Sequence, residues 1–382
     1  MWKTEKLGKI ATLQRGFDLP SKKREKGNIP IIAASGINGY HNEYKVEGPG
    51  VITGRSGSLG NVFYETSHYW PLNTTLWVKD FNGNNPKFIY YLLNTLDFRY
   101  FNSGTSVPTL NRNHIHEVET HLPPLPEQRA IASILTNLDD KIENNLAMNK
   151  TLEEMATALY KHWFVDFGPF QDGKFVESEL GMIPEGWEVK PFLELFDLLS
   201  GGTPKTKVEE YWGGEFPWVS AKDIGNEDSC YINETEKTVT QIGIDKSSTK
   251  ILPEDTVIVV ARGSVGKYGM ISKEMTMNQS CYGLYSKSSY SQPLLYLLTS
   301  NLIAHFQSVA YGSVFDTITT STFKNISILE PPTRVMDEIK LKIDPLFEKI
   351  KSNVEENQIL KERRDALLPK LVSGEVRVKG FG

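Results

Sequence analysis

Polar, glycine-rich segments hold most of the side chains in this sequence that could do chemistry. Arginine, lysine, asparagine, glutamine and serine are the side chains that hydrogen-bond to base edges and phosphate oxygens. One such segment alone is usually a solvated turn, but these recur at similar places in the two halves of the chain. We therefore expect nucleic-acid contacts from Arg15, Lys22, Lys23, Arg24, Ser35, Asn38, Tyr40, Arg55, Ser56, Asn73 and Thr74 in the first half, and from Thr203, Lys205, Ser220, Lys222, Arg262, Ser264, Lys267, Asn278 and Gln279 in the second.

Two arginines among them carry the sharpest prediction. Arg55 and Arg262 both lie beside a Gly-Ser-(Leu/Val)-Gly motif, and its glycines let the backbone approach DNA closely. The pattern is interpreted as a matched pair of base contacts. Alanine at either position should then weaken specific binding by roughly 1–3 kcal/mol, the contribution of one good bidentate base contact.

Catalytic chemistry is not indicated. The cluster His114, His116, Glu117 and His121 has the composition of a metal site, but the aligned positions in the second half are Thr322, Lys324, Asn325 and Leu329. Surface histidines are therefore the better interpretation. The sequence shows no nuclease carboxylate–lysine group, no methyltransferase Pro-Pro motif with its aromatic neighbour and no nucleophile–base pair. We expect neither a catalytic centre nor a bound metal.

The composition is typical of a soluble protein with two or three domains. The 382 residues are 39% hydrophobic and 23% charged, which are ordinary globular values. Two cysteines are too few for a disulfide scaffold or a four-thiolate metal site. The sequence has no run of about 18 apolar residues and no apolar signal segment near residue 1. We expect a cytoplasmic protein.

The charge distribution limits how such a chain could bind DNA. The net charge of −5 argues against a uniformly basic surface. Residues 1–122 carry 14 basic and 10 acidic side chains, a net +4, whereas residues 181–330 carry 12 and 18, a net −6. Any DNA-binding surface must therefore be local, or completed by partner subunits.

An internal repeat positions the polar segments. Residues 123–166 and 331–374 align without a gap, and each follows a globular stretch with similar Gly-Ser motifs. Apolar residues recur every seven positions in both segments, which predicts two long coiled-coil helices. The repeating positions are Ile131, Leu138, Asn145, Leu152 and Leu159 in the first segment and Ile339, Leu346, Asn353, Leu360 and Leu367 in the second.

Two asparagines lie at the centre of each predicted seam. A buried asparagine weakens a coiled coil but disfavours wrong registers, because its amide needs a polar partner. Antiparallel pairing would place Asn145 and Asn149 against Asn353 and Asn357 and fix the helix register. The alternative is that all four are surface residues of amphipathic helices.

The segment 123–129 (Pro-Pro-Leu-Pro-Glu-Gln-Arg), followed by the Asn-centred helix, resembles specificity subunits of type I restriction-modification systems. Segments 54–60 (Gly-Arg-Ser-Gly-Ser-Leu-Gly) and 200–205 (Ser-Gly-Gly-Thr-Pro-Lys) resemble parts of their target-recognition domains. The resemblance covers essentially the whole chain. The second helix departs from it, with Thr-Arg-Val-Met at 333–336 after its two prolines.

The resemblance implies an α+β fold. Two globular α/β target-recognition domains would be separated by two long antiparallel coiled-coil helices, as a pseudo-two-fold internal repeat. A rigid helix pair between two related DNA-reading domains would also fix the gap between their half-sites. The implied boundaries are 1–122 for the first recognition domain, 123–165 for the first spacer helix, 166–186 for a linker, 187–330 for the second recognition domain, 331–374 for the second spacer helix and 375–382 for a C-terminal tail.

The resemblance further implies a non-catalytic subunit that reads a bipartite site in double-stranded DNA. Its partners would be two modification (methyltransferase) subunits and restriction (translocase–nuclease) subunits, and there would be no membrane contact. S-adenosylmethionine, ATP and magnesium would be bound by those partners and not by this chain. Two alternatives stay open: a stand-alone nuclease or methyltransferase with an unrecognised site, and a two-headed protein-binding scaffold.

Overall fold

The computed structural model describes residues 2–101, 108–225, 229–311 and 317–380. The chain forms two compact units. Unit 1 comprises Met1–Ile142 and Ile359–Gly382, and unit 2 comprises Glu143–Gln358. No helix of the described residues is long and apolar enough to span a bilayer.

The elements from the start of the chain through the first long helix are β1 (Lys3–Lys6), α1 (Leu7–Ile10), β2 (Thr12–Arg15), β3 (Ile29–Ala33), β4 (Gly36–His41), β5 (Gly50–Gly54), β6 (Val62–Glu65), β7 (Trp70–Pro71), β8 (Thr75–Asp80), α2 (Pro86–Asn94), α3 (Arg112–His116), β9 (Glu119–Leu122) and α4 (Leu125–Phe164). They form a four-stranded sheet of order β2-β8-β5-β6 and a three-stranded sheet of order β4-β3-β7. The strands β3 and β7 are parallel, and β1 pairs with β9 beside the sheets.

The remaining elements are β10 (Phe175–Ser178), β11 (Gly181–Pro184), β12 (Glu188–Pro191), α5 (Phe192–Leu195), β13 (Phe196–Ser200), β14 (Trp212–Val219), β15 (Tyr231–Ile232), β16 (Thr238–Val239), α6 (Gln241–Asp245), β17 (Val257–Val260), β18 (Tyr268–Ile271), β19 (Thr276–Met277), β20 (Cys281–Ser286), α7 (Gln292–Tyr311), α8 (Thr320–Lys324), β21 (Ser327–Glu330) and α9 (Thr333–Ser373). The sheet β13-β20-β17-β18, extended by β15, repeats the first sheet of unit 1. The sheet β16-β14-β19, with β14 parallel to β19, repeats the second. The internal repeat predicted from the sequence is therefore confirmed in the topology.

The long helices α4 and α9 run antiparallel within each unit. In unit 2, Asn145 Nδ2 donates to Asn357 Oδ1 and Asn353 Nδ2 donates to Asn149 Oδ1, both at 2.8 Å. In unit 1, the guanidinium of Arg364 lies 3.0 Å from a carboxylate oxygen of Asp139 on α4. As one helix number rises, its partner's number falls, so the predicted antiparallel helix pair is confirmed.

The seven-residue pattern places one stripe of each long helix against the sheets as well as against its partner. In unit 1, Ile131 and Leu135 of α4 and Leu371 of α9 join a buried core with Phe88 of α2. Each of these side chains is at most 3% exposed. Burial of such apolar side chains contributes roughly 1.5–3 kcal/mol each. This burial along the whole stripe stabilises helices of 40 and 41 residues.

The Pro-Pro-Leu-Pro-Glu-Gln-Arg segment has a structural role at the start of α4. Gln128 is 1% exposed; its Oε1 accepts from the backbone N–H of Asn85 at 2.9 Å, and its Nε2 donates to the carbonyl of Pro123 at 2.9 Å. Asn85 in turn caps α2, because its Oδ1 accepts from the Phe88 N–H at 2.9 Å. The segment therefore ties the start of α4 to the start of α2 in unit 1.

Glu127, the residue before Gln128, is fully buried and binds Arg377 and Trp2. Arg377 donates to both of its carboxylate oxygens, at 2.6 and 2.8 Å, and the indole of Trp2 donates to it at 2.9 Å. The segment 375–382, expected to be a C-terminal tail, thus includes Arg377, which pairs with the buried Glu127 at the start of α4. The expected linker 166–186 contains the β10–β11 hairpin.

Candidate nucleic-acid interface

The predicted DNA-contacting residues lie mainly at strand ends of the two sheets in each unit. In unit 1 they lie at the end of β2 (Arg15), in and after the turn Ser21–Lys23 (Lys22, Lys23, Arg24), between β3 and β4 (Ser35), in β4 (Asn38, Tyr40), after β5 (Arg55, Ser56) and between β7 and β8 (Asn73, Thr74). In unit 2 they lie after β13 (Thr203, Lys205), after β14 (Ser220, Lys222), between β17 and β18 (Arg262, Ser264, Lys267) and between β19 and β20 (Asn278, Gln279).

The prediction that these residues lie on loops was wrong for Arg15, the last residue of β2, and for Asn38 and Tyr40. Asn38 and Tyr40 are in β4, which pairs with β3 through contacts such as Tyr40 with Pro30. The glycines at 36 and 39 suggested a loop, yet they adopt positive φ angles of 115° and 97° inside the strand. The pairing with β3, and not the local composition, therefore determines the extended conformation of residues 36–41. The side chains of Asn38 and Tyr40 are both exposed.

Three arginines of unit 1 line one cavity of about 480 Å3. Arg15 and Arg55 were predicted, and Arg112, the first residue of α3, was missed. Burial lowers the pKa of Arg55, and the neighbouring charge of Arg15 lowers it further, so the two cations are close enough to repel. Within the described residues no carboxylate lies in ion-pair distance of any of the three.

Arg55 and Arg262 do not occupy equivalent positions, so their interpretation as a matched pair was wrong. The Arg55 carbonyl accepts from the Leu110 N–H at 2.8 Å, and in unit 2 the Ala261 carbonyl accepts from the Ile318 N–H at 3.1 Å. Ala261 is therefore the counterpart of Arg55, and Arg262 lies one residue later. Because side chains alternate along an extended backbone, this shift turns the two arginines to different sides.

The cavity in the second sheet of unit 2 has a different chemistry. Its volume is about 280 Å3, and both basic and acidic side chains line it. Ser220 Oγ donates to Asp223 Oδ2 at 2.6 Å, and Lys222 Nζ lies 3.3 Å from Glu236 Oε2. Two predicted contact residues thus already have carboxylate partners, so this surface offers hydrogen-bond acceptors beside its lysines.

Arg24 and Asn38 form a clamp in unit 1. Arg24 Nη1 donates to the Asn38 carbonyl at 2.7 Å and to Asn38 Oδ1 at 2.9 Å. A guanidinium can only donate, so the amide oxygen must face Arg24 and the amide nitrogen must point away. Asn38 is exposed, so its two amide N–H donors can reach an acceptor outside the protein.

Replacing Arg24 with alanine should relax the base preference at one position of a half-site. The Asn38 amide could then flip and accept as readily as donate, which removes a discrimination of roughly 1–3 kcal/mol. Binding selections on duplexes randomised at each position would measure it. Lys22→Ala is the matched control: this exposed neighbour should lower affinity evenly for all sequences. An unchanged preference in Arg24→Ala would contradict the clamp.

The histidines near β9 take part in separate contacts. His116 is half-buried, where it accepts from the Leu13 N–H at 2.9 Å, and burial lowers its pKa. Glu117 pairs with Lys6, and His121 lies 3.2 Å from the Thr4 hydroxyl. His116 is thus a packing residue of the sheet, which corrects its interpretation as a surface histidine.

The duplicated unit, with polar side chains at matched strand ends, is the architecture of a DNA specificity domain present twice. The family model described as "Type I restriction modification DNA specificity domain" matches residues 1–154 and 184–362. The chain belongs to this family of type I restriction-modification specificity subunits. This agrees with the resemblance carried by the segment 123–129 and the Asn-centred helix.

Individual relatives support the same conclusion. The MjaIX specificity subunit of Methanocaldococcus jannaschii is 28% identical, over 99% of this chain and 94% of that protein. The HindI specificity subunit of Haemophilus influenzae is 28% identical, over 76% of this chain and 77% of that protein. A crystal structure of a type I S subunit from M. genitalium has the same fold, with a TM-score of 0.64 at 17% identity, over 97% of this chain and 96% of that chain.

Proposed function

We propose that this chain reads a bipartite DNA target, with each unit recognising one half. One observation carries the proposal: the two units share sheets, strand order and loop positions, yet they present different side chains at equivalent strand ends. Where Asn73 follows β7 in unit 1, Gln279 occupies the same place after β19, and Arg262 takes the place of Ser56. One scaffold with two sets of polar contacts is what two different half-sites require.

The chemistry of restriction and modification belongs to partner subunits in this proposal. The chain itself supplies sequence recognition and a docking platform for methyltransferase subunits and for translocase–nuclease subunits. Those partners would bind S-adenosylmethionine, ATP and magnesium. Support comes from the specificity-subunit relatives and from the net charge of −5, which leaves much of the phosphate neutralisation to other chains.

Methylation mapping of the chain with its modification subunits tests the proposal. We expect methylated sites with two defined halves and a constant gap. Arg262→Ala, an exposed substitution in unit 2, should alter the base preference of one half and leave the other half unchanged. A change in both halves, or in neither, would contradict the assignment of one half-site to each unit.

Two outcomes would favour the alternatives. Methylation or cleavage by the purified chain without partners would indicate an enzyme. Binding without sequence preference on randomised duplexes, with partners present, would indicate a protein-binding scaffold.

A further inference from the structure

The three-arginine cavity of unit 1 has an unbalanced charge. Arg15, Arg55 and Arg112 come from three separate segments of the chain and line the same concavity with Thr109 and Asn111. The guanidinium of Arg55 donates to the Asn73 carbonyl, at 3.4 Å from Nη1, and it has no carboxylate partner among the described residues. Three cations gathered without a counter-ion repel one another, and an anion in the cavity would remove that repulsion.

Unit 2 lacks this charge although it shares the fold. The equivalent residues, each set by the same strand or helix end, are Ser200 at the end of β13, Ala261 after β17 and Thr320 at the start of α8. All three are small and uncharged. The arginines are therefore not needed to build the recognition fold, since unit 2 forms the same sheets without them.

We propose that Arg15, Arg55 and Arg112 form a binding site for backbone phosphates of DNA, and that unit 2 makes no equivalent contact. The inference rests on the proposed function in taking DNA as the ligand. A base edge is neutral and would leave the three charges uncompensated, whereas a phosphodiester supplies the missing negative charge. The two units would then bind their half-sites by different contacts. The salt-dependent part of the binding free energy would come mainly from unit 1.

The test replaces the three arginines with their unit 2 counterparts, as R15S/R55A/R112T. The complex with modification subunits is titrated with the duplex target over a range of salt concentrations. Each phosphate contact contributes a slope of about −0.9 to log K against log salt, so the slope should become shallower by about one to three units. Over a fourfold rise in salt, the loss of affinity should shrink about 3-fold for one contact and about 40-fold for three.

Two further variants control for folding and for charge. Arg112→Thr changes one exposed side chain and should flatten the slope by up to about 0.9 with normal thermal unfolding. R15K/R55K/R112K keeps the positive charge and should keep the parental slope. Methylation mapping of R15S/R55A/R112T should return the parental target sequence, because phosphate contacts do not read bases.

Three results would overturn the inference. An unchanged slope in R15S/R55A/R112T means that the arginines do not neutralise phosphates. A changed base preference in one half-site means that they read bases instead. A parental complex with no specific DNA binding would overturn the proposed function itself, which the first two results leave intact.

Discussion

Replacing Arg377 with alanine should strongly destabilise unit 1, because it leaves the carboxylate of Glu127 buried without its counter-charge. The side chain of Glu127 is 1% exposed and that of Arg377 is 31% exposed. Removing one partner of a buried ion pair leaves an uncompensated charge, and the remaining hydrogen bond from the Trp2 indole does not supply a positive charge to Glu127. Hydrogen exchange of unit 1 amides in increasing urea would measure the destabilisation, with unit 2 amides as an internal reference.

The double variant E127V/R377A separates the buried charge from simple loss of packing. Glu127 is the third residue of α4, and the third residue of α9 is Val335, so valine is compatible with this helix start. Removing both charges should restore most of the stability lost in Arg377→Ala. If the double variant is as unstable as the single one, the buried carboxylate is not the cause.

The long helices could be predicted from the sequence because their signal is local and repeated. Five heptads of apolar residues leave few alternatives to a helix, and α4 begins at Leu125, directly after the two prolines. The central asparagines and the connectivity of the chain favoured the antiparallel arrangement, which places the two amides of α4 against the two of α9. A helix with this periodicity can be predicted without knowledge of the rest of the fold.

The closure of unit 1 could not be predicted in the same way. Arg377 and Glu127 are 250 residues apart, and neither stands in a motif that indicates the other. A buried glutamate in the first turn of a helix looks in sequence like an ordinary exposed acidic residue at a helix start. The contact depends on the return of α9 to the start of α4, which is a tertiary property.

The candidate site was predictable by residue type but not by position. The Gly-Ser-(Leu/Val)-Gly motifs located the loops after β5 and β17. Aligning Gly57 with Gly263 already sets Arg55 against Ala261, and the matched-pair interpretation overlooked this shift of one residue. Backbone hydrogen bonds to Leu110 and Ile318 show the same register. Arg112 had one available signal: the second half of the chain carries Thr320 at the aligned position, so the arginine is not required by the fold.

Four buried asparagines of unit 2 form what we call the asparagine layer: Asn145, Asn149, Asn353 and Asn357. This layer should lower the stability of the helix pair while it fixes the register of the two helices. Asn149 and Asn353 are 2% and 0% exposed, and one amide hydrogen bond joins them. Asn149→Leu alone leaves the Asn353 amide buried without its partner, which should cost roughly 1–3 kcal/mol. N149L/N353L removes both buried amides, and Asn149 lines a cavity of about 770 Å3 into which the leucine at this position can extend. The double variant should therefore be as stable as the parent or more stable.

Urea unfolding of the two singles and the double, followed by hydrogen exchange of unit 2 amides, gives the coupling energy between the two positions. A coupling near the cost of one single substitution supports a paired, buried layer. Additive losses would show that the two asparagines act independently. Extending the change to N145L/N149L/N353L/N357L completes the argument, since Asn145 and Asn357 form the second pair of the layer. If that variant is less stable than the parent, the layer stabilises the helices on balance, and its retention needs no appeal to register.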